Sequence, residues 1–374
     1  MSIIYFDNAA TGGVKSKNVV SAVLSSLTSF QANAGRGSSS LAVSAAREVY
    51  ETRKLLSKTF NNGHIGRVIF TANCTQALNF AIFGLWRGCG NIVADATNHN
   101  AVLRPLSALK PRGATVRYAC PSDKKHITVS DVLPLTDKDT SFVCINAVSN
   151  VTGAKNDFEE IGSMLRKLGV PLVVDGAQAG GHIPIDMNSS GINCLCLAGH
   201  KGLGATQGAG VLIFDESVEI TPLLFGGSGT ESFAPVPSSY PEKLEAGTLN
   251  LPAIKGLKQA IIDLSANFYQ KRKRIYALTE SLIKELESFS EIKLFSRPNE
   301  CGIVSFLHEN APSERVEEAL NENGIIVRSG YHCAPKTHEF LGTADGGLTR
   351  ISLSEHNTER ELYSFLSVLS SLRF

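Results

Sequence analysis

The chain has 374 residues, of which 36 are lysine or arginine and 35 are aspartate or glutamate, so its formal net charge is +1. A charge this close to zero provides no electrostatic footprint for nucleic acid or for an anionic membrane surface. No apolar run approaches the roughly 20 residues that a membrane-spanning helix needs. The N-terminus lacks the basic and apolar segments of a secretory signal. We therefore expect a protein that binds neither nucleic acid nor membrane.

Eight cysteines are spread thinly along the chain, several of them inside apolar runs. Disulfide frameworks are typical of short secreted chains, so this pattern predicts reduced thiols and a cytoplasmic location. The cysteines and the nine histidines show no CxxC, HExxH or paired zinc spacing. We therefore expect no metal site.

Apolar residues recur at helical spacing over residues 16–60, which predicts helices before the first long strand. Short apolar runs then alternate with helical patterns, which predicts βαβ units and a mostly parallel sheet covered on both faces. The predicted strands are VIFTA (68–72), NIVAD (91–95), TVRYA (115–119), FVCINAV (142–148), PLVVD (171–175), NCLCLA (193–198) and GVLIF (210–214). The expected fold class is α/β.

Residues 215–252 are rich in glycine and proline and are interpreted as loops, and a long helical pattern follows them. The later strand-like runs are GIVSFL (302–307), GIIVRSG (324–330) and LTRISLS (348–354). We predict a large α/β domain over residues 15–255. Residues 1–14 and 256–374 are predicted to form a smaller α+β domain with a connecting helix.

Two polar side chains follow apolar strands in the middle of the chain. Asp175 ends PLVVD, and ligands of open α/β sheets bind beyond the carboxyl ends of strands, although aspartate also caps helices. Lys201 lies in a glycine-rich turn after CLCLA, where a lysine amine can form a Schiff base with a carbonyl group. An ordinary loop lysine is the alternative.

The junction FTANCTQALN joins a strand to a helix, and the small and polar residues Asn73, Cys74 and Thr75 open that helix. Free N–H groups and the positive end of the helix dipole suit a phosphate there, although Thr75 also fits a simple helix cap.

The segment RSGYHCA places Cys333 beside His332 and five residues after Arg328. A cysteine in such polar surroundings is either a nucleophile or an inert thiol. Arg350 lies on an apolar strand and is either an edge residue or a bidentate clamp for a carboxylate.

Taken in chain order, seven segments resemble one family: NHNAV, VSNVTG, VVDGAQ, GHK, EAGT, RSGYHCA and RIS with the following NT. The resemblance is to fold-type I enzymes of the class V aminotransferase group that use pyridoxal 5′-phosphate. Within that group it is to cysteine desulfurases and selenocysteine lyases with an RxGxHCA segment. It covers nearly the whole chain, from YFDNAAT to NTEREL. It implies a large domain with a mostly parallel sheet and a smaller C-terminal domain.

The resemblance implies that Lys201 holds the cofactor covalently and moves protons. It implies that Asp175 pairs with the ring nitrogen, while His99 stacks on the ring and assists proton transfer. Gln178 and Asn150 would hydrogen-bond the ring oxygen or its surroundings. The implied phosphate ligands are Cys74, Thr75, His200 and, from the partner subunit of a homodimer, Thr248.

The resemblance also implies that Arg350 clamps the carboxylate of an amino-acid substrate, L-cysteine, with Asn8 nearby. Cys333 would attack the substrate sulfur, retain it as a persulfide for an acceptor protein, and release alanine. Arg328 and His332 would shape the loop of Cys333. A selenocysteine lyase, a β-eliminating C–S lyase and an ordinary class V aminotransferase are the alternatives on the same scaffold.

The chain departs from the family pattern at four places. Ala198 replaces the usual serine or threonine before GHK, which removes a hydroxyl from the expected phosphate site. Gln76 stands where glutamate is common, and Thr206 stands where proline is usual. Ser39 and its serine neighbours replace a segment that carries histidine, on the side where the substrate is expected.

Overall fold

The computed structural model describes residues 3–29, 32–35, 37–122 and 126–374. The strands are β1 (Ile4–Tyr5), β2 (Val68–Thr71), β3 (Asn91–Asp95), β4 (Thr115–Ala119), β5 (Thr140–Asn146), β6 (Leu172–Asp175), β7 (Cys194–Ala198), β8 (Gly210–Phe214), β9 (Ile292–Leu294), β10 (Ile303–His308), β11 (Ile325–Ile326) and β12 (Thr349–Ser352). The helices are α1 (Lys17–Thr28), α2 (Ser40–Phe60), α3 (Cys74–Leu85), α4 (Asn100–Leu109), α5 (Val129–Val132), α6 (Phe158–Leu168), α7 (Met187–Ser190), α8 (Leu251–Leu286), α9 (Ser313–Glu322), α10 (Pro335–Leu341) and α11 (Glu359–Ser371).

Seven strands form the central sheet in the order β2-β8-β7-β6-β5-β3-β4. Strand β8 is antiparallel to both neighbours, and the other six strands are parallel to one another. Successive side chains of a strand point to opposite faces of its sheet. Leu172 and Val174 of β6 accordingly join one core cluster, whereas Val173 joins another. The sheet is therefore buried on both faces, which explains the continuous apolar runs in the sequence.

The C-terminal part of the chain builds two smaller sheets. Strands β12, β10 and β9 form an antiparallel sheet, and β1 pairs in parallel with β11. A third core cluster lies here and includes Phe6 and the second half of α8, for example Leu278 and Leu282. The first half of α8 belongs to the core of the central sheet through Leu257 and Ile261. The 36-residue helix α8 therefore links the two parts of the molecule.

The predicted α/β class is confirmed, and each predicted strand of the central sheet is present. The antiparallel direction of β8 was not predicted. Its connection from β7 is short and holds no crossover helix, which a parallel neighbour would need. The short strands β1 and β9 were also missed. The predicted domain boundary falls inside α8, which runs through residue 256 without a break, and the domain assignment stays a prediction. Within the described ranges, no helix has the length and apolar character to span a bilayer.

Candidate active site

A cavity opens at the carboxyl ends of the central strands, beside the start of α3. Eight residues predicted from the sequence line it: Cys74, Thr75, His99, Asn150, Asp175, Gln178, His200 and Lys201. Asn73, which opens the same strand-to-helix junction, also lines the cavity. Asn146 lines it as well and was not predicted, although it ends β5 just as Asp175 ends β6.

Asp175 is the buried acid of the cavity, with 5% of its surface exposed. Its Oδ1 accepts a hydrogen bond from the Ala177 N–H at 2.9 Å and lies 3.6 Å from the Cys74 sulfur. Burial and the charge of Asp175 raise the pKa of the Cys74 thiol well above its usual value, so this thiol stays protonated and donates. The alternative in which Asp175 caps a helix is wrong, because the next helix, α7, begins only at Met187.

Lys201 follows β7 and is the amine of the cavity. Among the described residues its Nζ has no hydrogen-bond or ion-pair partner. Burial lowers the pKa of this amine, and the charge of Asp175 opposes that shift. A buried amine with a lowered pKa and no partner is available as a nucleophile toward a carbonyl.

The start of α3 presents free backbone donors to the cavity. Asn73 caps the helix by accepting the Gln76 N–H at 2.9 Å, so the interpretation of Thr75 as the cap is wrong. Within the described chain, the N–H groups of Cys74 and Thr75 have no acceptor. Gly210 permits this arrangement, because a Cβ atom there would lie 2.3 Å from the carbonyl carbon of Asn73. This helix end can bind an anionic group.

His99 caps the next helix along the cavity wall, α4. Its Nδ1 accepts the Ala101 N–H at 2.9 Å, which leaves the proton on Nε2. Burial lowers the pKa of His99 to about 4. The ring is therefore a neutral donor near pH 7.

The N-terminal segment closes one side of the cavity. Gln178 donates from Nε2 to the Ala9 carbonyl at 3.0 Å, and the Nδ1 of His200 lies 3.0 Å from the Thr11 hydroxyl. Burial lowers the pKa of His200 to about 4. Asn8 does not line the cavity, because its amide bonds the Ser352 carbonyl and the Gly13 N–H.

Cys333 lies on an exposed loop beside the cavity. Its carbonyl accepts the Asn100 N–H at 2.6 Å, and the Asn150 amide donates to the His332 carbonyl at 2.7 Å. His332 and Cys333 have φ values of 48° and 56°, a left-handed conformation that costs about 1–3 kcal/mol per residue. The strained Cys333 loop is thus held by two hydrogen bonds. One partner is Asn150, which lines the cavity, and the other is Asn100, which follows the cavity residue His99.

Arg350 and Arg328 lie on paired backbone segments but differ in their side-chain contacts. Arg350 is 2% exposed, and it bonds the Asp7 carboxylate at 2.8 Å and the Asn150 carbonyl at 3.0 Å. The Arg328 guanidinium is half-buried and has no partner within the described residues. Asp7 was missed in the sequence, although it lies in YFDNAAT beside Asn8.

Thr248 lies outside the cavity, in an exposed segment where its hydroxyl accepts from Asn33 at 3.3 Å. Its predicted role toward a partner subunit stays a prediction.

The residues that depart from the family pattern lie in different places. Ala198 lines the cavity, Gln76 accepts the Ala72 N–H at 2.6 Å, and Ser39 caps α2. Thr206 is half-buried. Over the described ranges, no cluster of three or more His, Cys, Asp or Glu side chains could hold a metal ion.

The sequence model of the class-V aminotransferases matches residues 4–365. A probable cysteine desulfurase of Methanothermobacter thermautotrophicus is 31% identical, over 96% of this chain and 92% of the relative. One from Pyrococcus abyssi is 31% identical, over 99% of this chain and 94% of the relative. The apo structure of a cysteine desulfurase from Thermococcus onnurineus superposes with a TM-score of 0.91 at 28% identity, covering 98% and 94% of the two chains.

The match extends over nearly the whole chain, so the chain belongs to the class-V aminotransferase family. Within it, the two relatives above are named as probable cysteine desulfurases.

Proposed function

We propose that the protein is a pyridoxal 5′-phosphate-dependent cysteine desulfurase, which converts L-cysteine to L-alanine and keeps the sulfur on Cys333 as a persulfide. The names of its full-length relatives support the reaction. The contacts of the cavity support the cofactor and the residue roles, which are argued below.

The donor set of the cavity suits this cofactor. Lys201 offers an unpartnered amine for the aldehyde, and Asp175 offers a buried carboxylate for the ring nitrogen. The free N–H groups of Cys74 and Thr75, together with His200, suit the phosphate. When bound, pyridoxal phosphate supplies an electron sink for charge that develops on the substrate carbon.

The chain's own residues then divide the work. Lys201 holds the cofactor and moves the proton at the substrate Cα, because burial lowers the pKa of its amine and so favours the neutral form that can accept a proton. Asp175 keeps the ring nitrogen protonated. Neutral His99 covers the ring and donates from Nε2. Asn150 and Gln178 line the same wall and orient the ring.

Cys333 performs the sulfur transfer. Its sulfur attacks the substrate sulfur, and the bond between that sulfur and Cβ breaks with its electron pair passing to Cβ. Cβ takes up one proton and leaves as the methyl group of alanine, so the proton given up by Cys333 balances the proton gained by Cβ. No external oxidant or reductant is needed until the persulfide passes to an acceptor.

The observation that carries this proposal is the attachment of the Cys333 loop to the cavity. The Cys333 carbonyl bonds the N–H of Asn100, the residue next to His99, while the thiol stays exposed. An aminotransferase or a β-eliminating lyase has no use for a thiol held in this place.

The test is to incubate the protein with L-cysteine, pyridoxal phosphate and a reductant, and to measure alanine, sulfide and pyruvate together. We expect equal alanine and sulfide. The Cys333→Ala variant should bind the cofactor normally but form no persulfide. Its yield of alanine should be at least about 100-fold lower than that of the wild type. Cys89→Ser, which changes another exposed thiol, is the matched control. Pyruvate with ammonia, or a persulfide in Cys333→Ala, would contradict the proposal.

We further propose that the protein is a homodimer in which Thr248 reaches the cofactor phosphate of the partner subunit. We also propose that an acceptor protein takes the sulfur and that the protein is cytoplasmic. The exposure of Thr248 supports the first. The eight unpaired thiols support a reducing compartment.

A further inference from the structure

Two lysine side chains that do not line the cavity bond the backbone of the Lys201 loop. The Nζ of Lys15 donates to the His200 carbonyl at 2.9 Å, and the Nζ of Lys271 donates to the Gly202 carbonyl at 2.6 Å. The carbonyl on each side of Lys201 therefore receives a charged hydrogen bond. The donors come from the N-terminal segment and from α8, which are distant in sequence.

Lys271 is an unusual residue for its position. It is 9% exposed, on a helix whose other buried residues are almost all apolar. Burial of an ammonium group is costly unless it is paired and hydrogen-bonded. The carboxylate of Glu355 lies 3.5 Å from its Nζ and provides the pairing charge. Arg274 fixes the backbone of this segment by donating to the Glu355 carbonyl at 2.8 Å.

The backbone of Gly202 is closely packed, so the position of its carbonyl is sensitive to its neighbours. A Cβ atom at Gly202 would lie 2.5 Å from the Gly180 carbonyl oxygen and 2.6 Å from the ring of His182. The Gly202 backbone is thus packed directly on its neighbours, and its carbonyl points to Lys271. Hydrogen bonds to charged groups are among the stronger ones in proteins, so the loss of this bond should raise the population of other loop conformations.

We propose that Lys15, Lys271 and Glu355 form a positioning cluster that fixes the backbone on both sides of Lys201 and so aims its amine into the cavity. The inference rests on the proposed role of Lys201. None of the three residues contacts the cavity, so they act through the loop.

The first test measures the loop itself, by hydrogen exchange of residues 199–205 in the cofactor-free protein. Within this segment, the amide of Gly204 bonds the Lys201 carbonyl and the amide of Ala205 bonds the Gly199 carbonyl. We expect at least about 10-fold faster exchange in Lys271→Met, in line with the loss of a charged hydrogen bond. Lys273→Met removes an exposed lysine from the same helix and should exchange as the wild type.

The second test measures turnover. We expect Lys271→Met to lower kcat about 10-fold with little change in KM for L-cysteine, and Lys271→Arg to recover part of the loss because it keeps the charge and the donors. If Lys271→Met does not fold, Lys15→Met replaces it in both the exchange and the turnover measurements. Lys15 is half-buried, and its loss removes the bond to the His200 carbonyl.

If Lys271→Met shows the exchange rates and the kcat of the wild type, the proposed positioning cluster is wrong. The same result in Lys15→Met would overturn it where that variant replaces Lys271→Met. A wild-type protein that makes no alanine would contradict the proposed function instead, and the exchange result would still decide the role of the cluster in holding the loop.

Discussion

The guanidinium of Arg350 lies 2.8 Å from the carboxylate of Asp7. The cation that the family resemblance assigns to the substrate carboxylate is therefore bound to a carboxylate of the chain itself. Burial lowers the pKa of Arg350, and the charge of Asp7 opposes that shift and so favours the charged guanidinium. Asp7 already holds Nη2 of this guanidinium, so a substrate carboxylate would compete with Asp7 for that nitrogen, whereas Nε has no hydrogen-bond partner among the described residues.

Replacing Asp7 with asparagine should tighten substrate binding. The amide keeps an acceptor oxygen but loses the charge, and neutral hydrogen bonds are weaker than charged ones by roughly 1 kcal/mol. We expect KM for L-cysteine to fall about 5-fold, with a modest loss of thermal stability. Steady-state kinetics at constant pH measures this. A higher KM in Asp7→Asn would show that Asp7 orients Arg350 rather than competing with the substrate.

Replacing Lys201 with alanine should abolish turnover and the covalent attachment of pyridoxal phosphate. It should not weaken the cofactor-free fold, because the Lys201 amine is buried and has no partner among the described residues. We expect the melting temperature of cofactor-free Lys201→Ala to equal or exceed that of the wild type. Retained turnover would contradict the role of Lys201, and a large loss of stability would contradict the absence of a partner.

Acid should destabilise the protein through buried histidines. Burial lowers the pKa of His182 to about 4, while an unfolded histidine titrates near 6.5. The unfolded state therefore binds more protons between these values, and the stability present above pH 6.5 is lost as the pH falls toward 4. His99 and His200 act in the same direction.

The measurement for this prediction is the melting temperature of the cofactor-free protein at pH 7 and pH 5. The drop between the two should be smaller in His182→Gln than in the wild type. His356→Gln changes an exposed histidine and should leave the drop unchanged.

Replacing Ala198 with serine should strengthen binding of the cofactor phosphate. Ala198 is buried at the end of β7 and lines the cavity, so a hydroxyl there adds one donor. A hydrogen bond contributes about 0.5–1.5 kcal/mol, which corresponds to roughly 2- to 10-fold in affinity. Titration of the cofactor-free protein with pyridoxal phosphate measures the change. Ala198→Cys has a similar size and only a weak donor, so equal gains in both variants would argue against a hydrogen bond.

The sheet was predictable because its strands are buried on both faces and stand out as unbroken apolar runs. Asp175 ends such a run and Lys201 follows another by three residues, which marked both as candidates, but their roles came from the resemblance to the family and not from this pattern. The short strand β1 has only two residues and no periodicity to detect. The direction of β8 depends on a connection length, which the strand pattern does not report.

Contacts between distant segments were not predictable. Lys271 lies in the charged run QKRKR and reads as a solvent-exposed helix residue, yet it is buried against the Gly202 carbonyl. The role of Arg350 as a bound partner of Asp7 likewise depends on pairing between the two ends of the described chain. Single-sequence periodicity carries no information about such pairs.

The contacts that enclose the cavity have a consequence for folding kinetics. Asp7 and Arg350 are 343 residues apart in sequence, and Gln178 and Ala9 are 169 apart. Contacts with such long loops form late, because the entropy of closing the loop must be overcome first. The sheet can therefore collapse while the pocket is still open, and recovery of cofactor binding during refolding should lag behind the recovery of secondary structure.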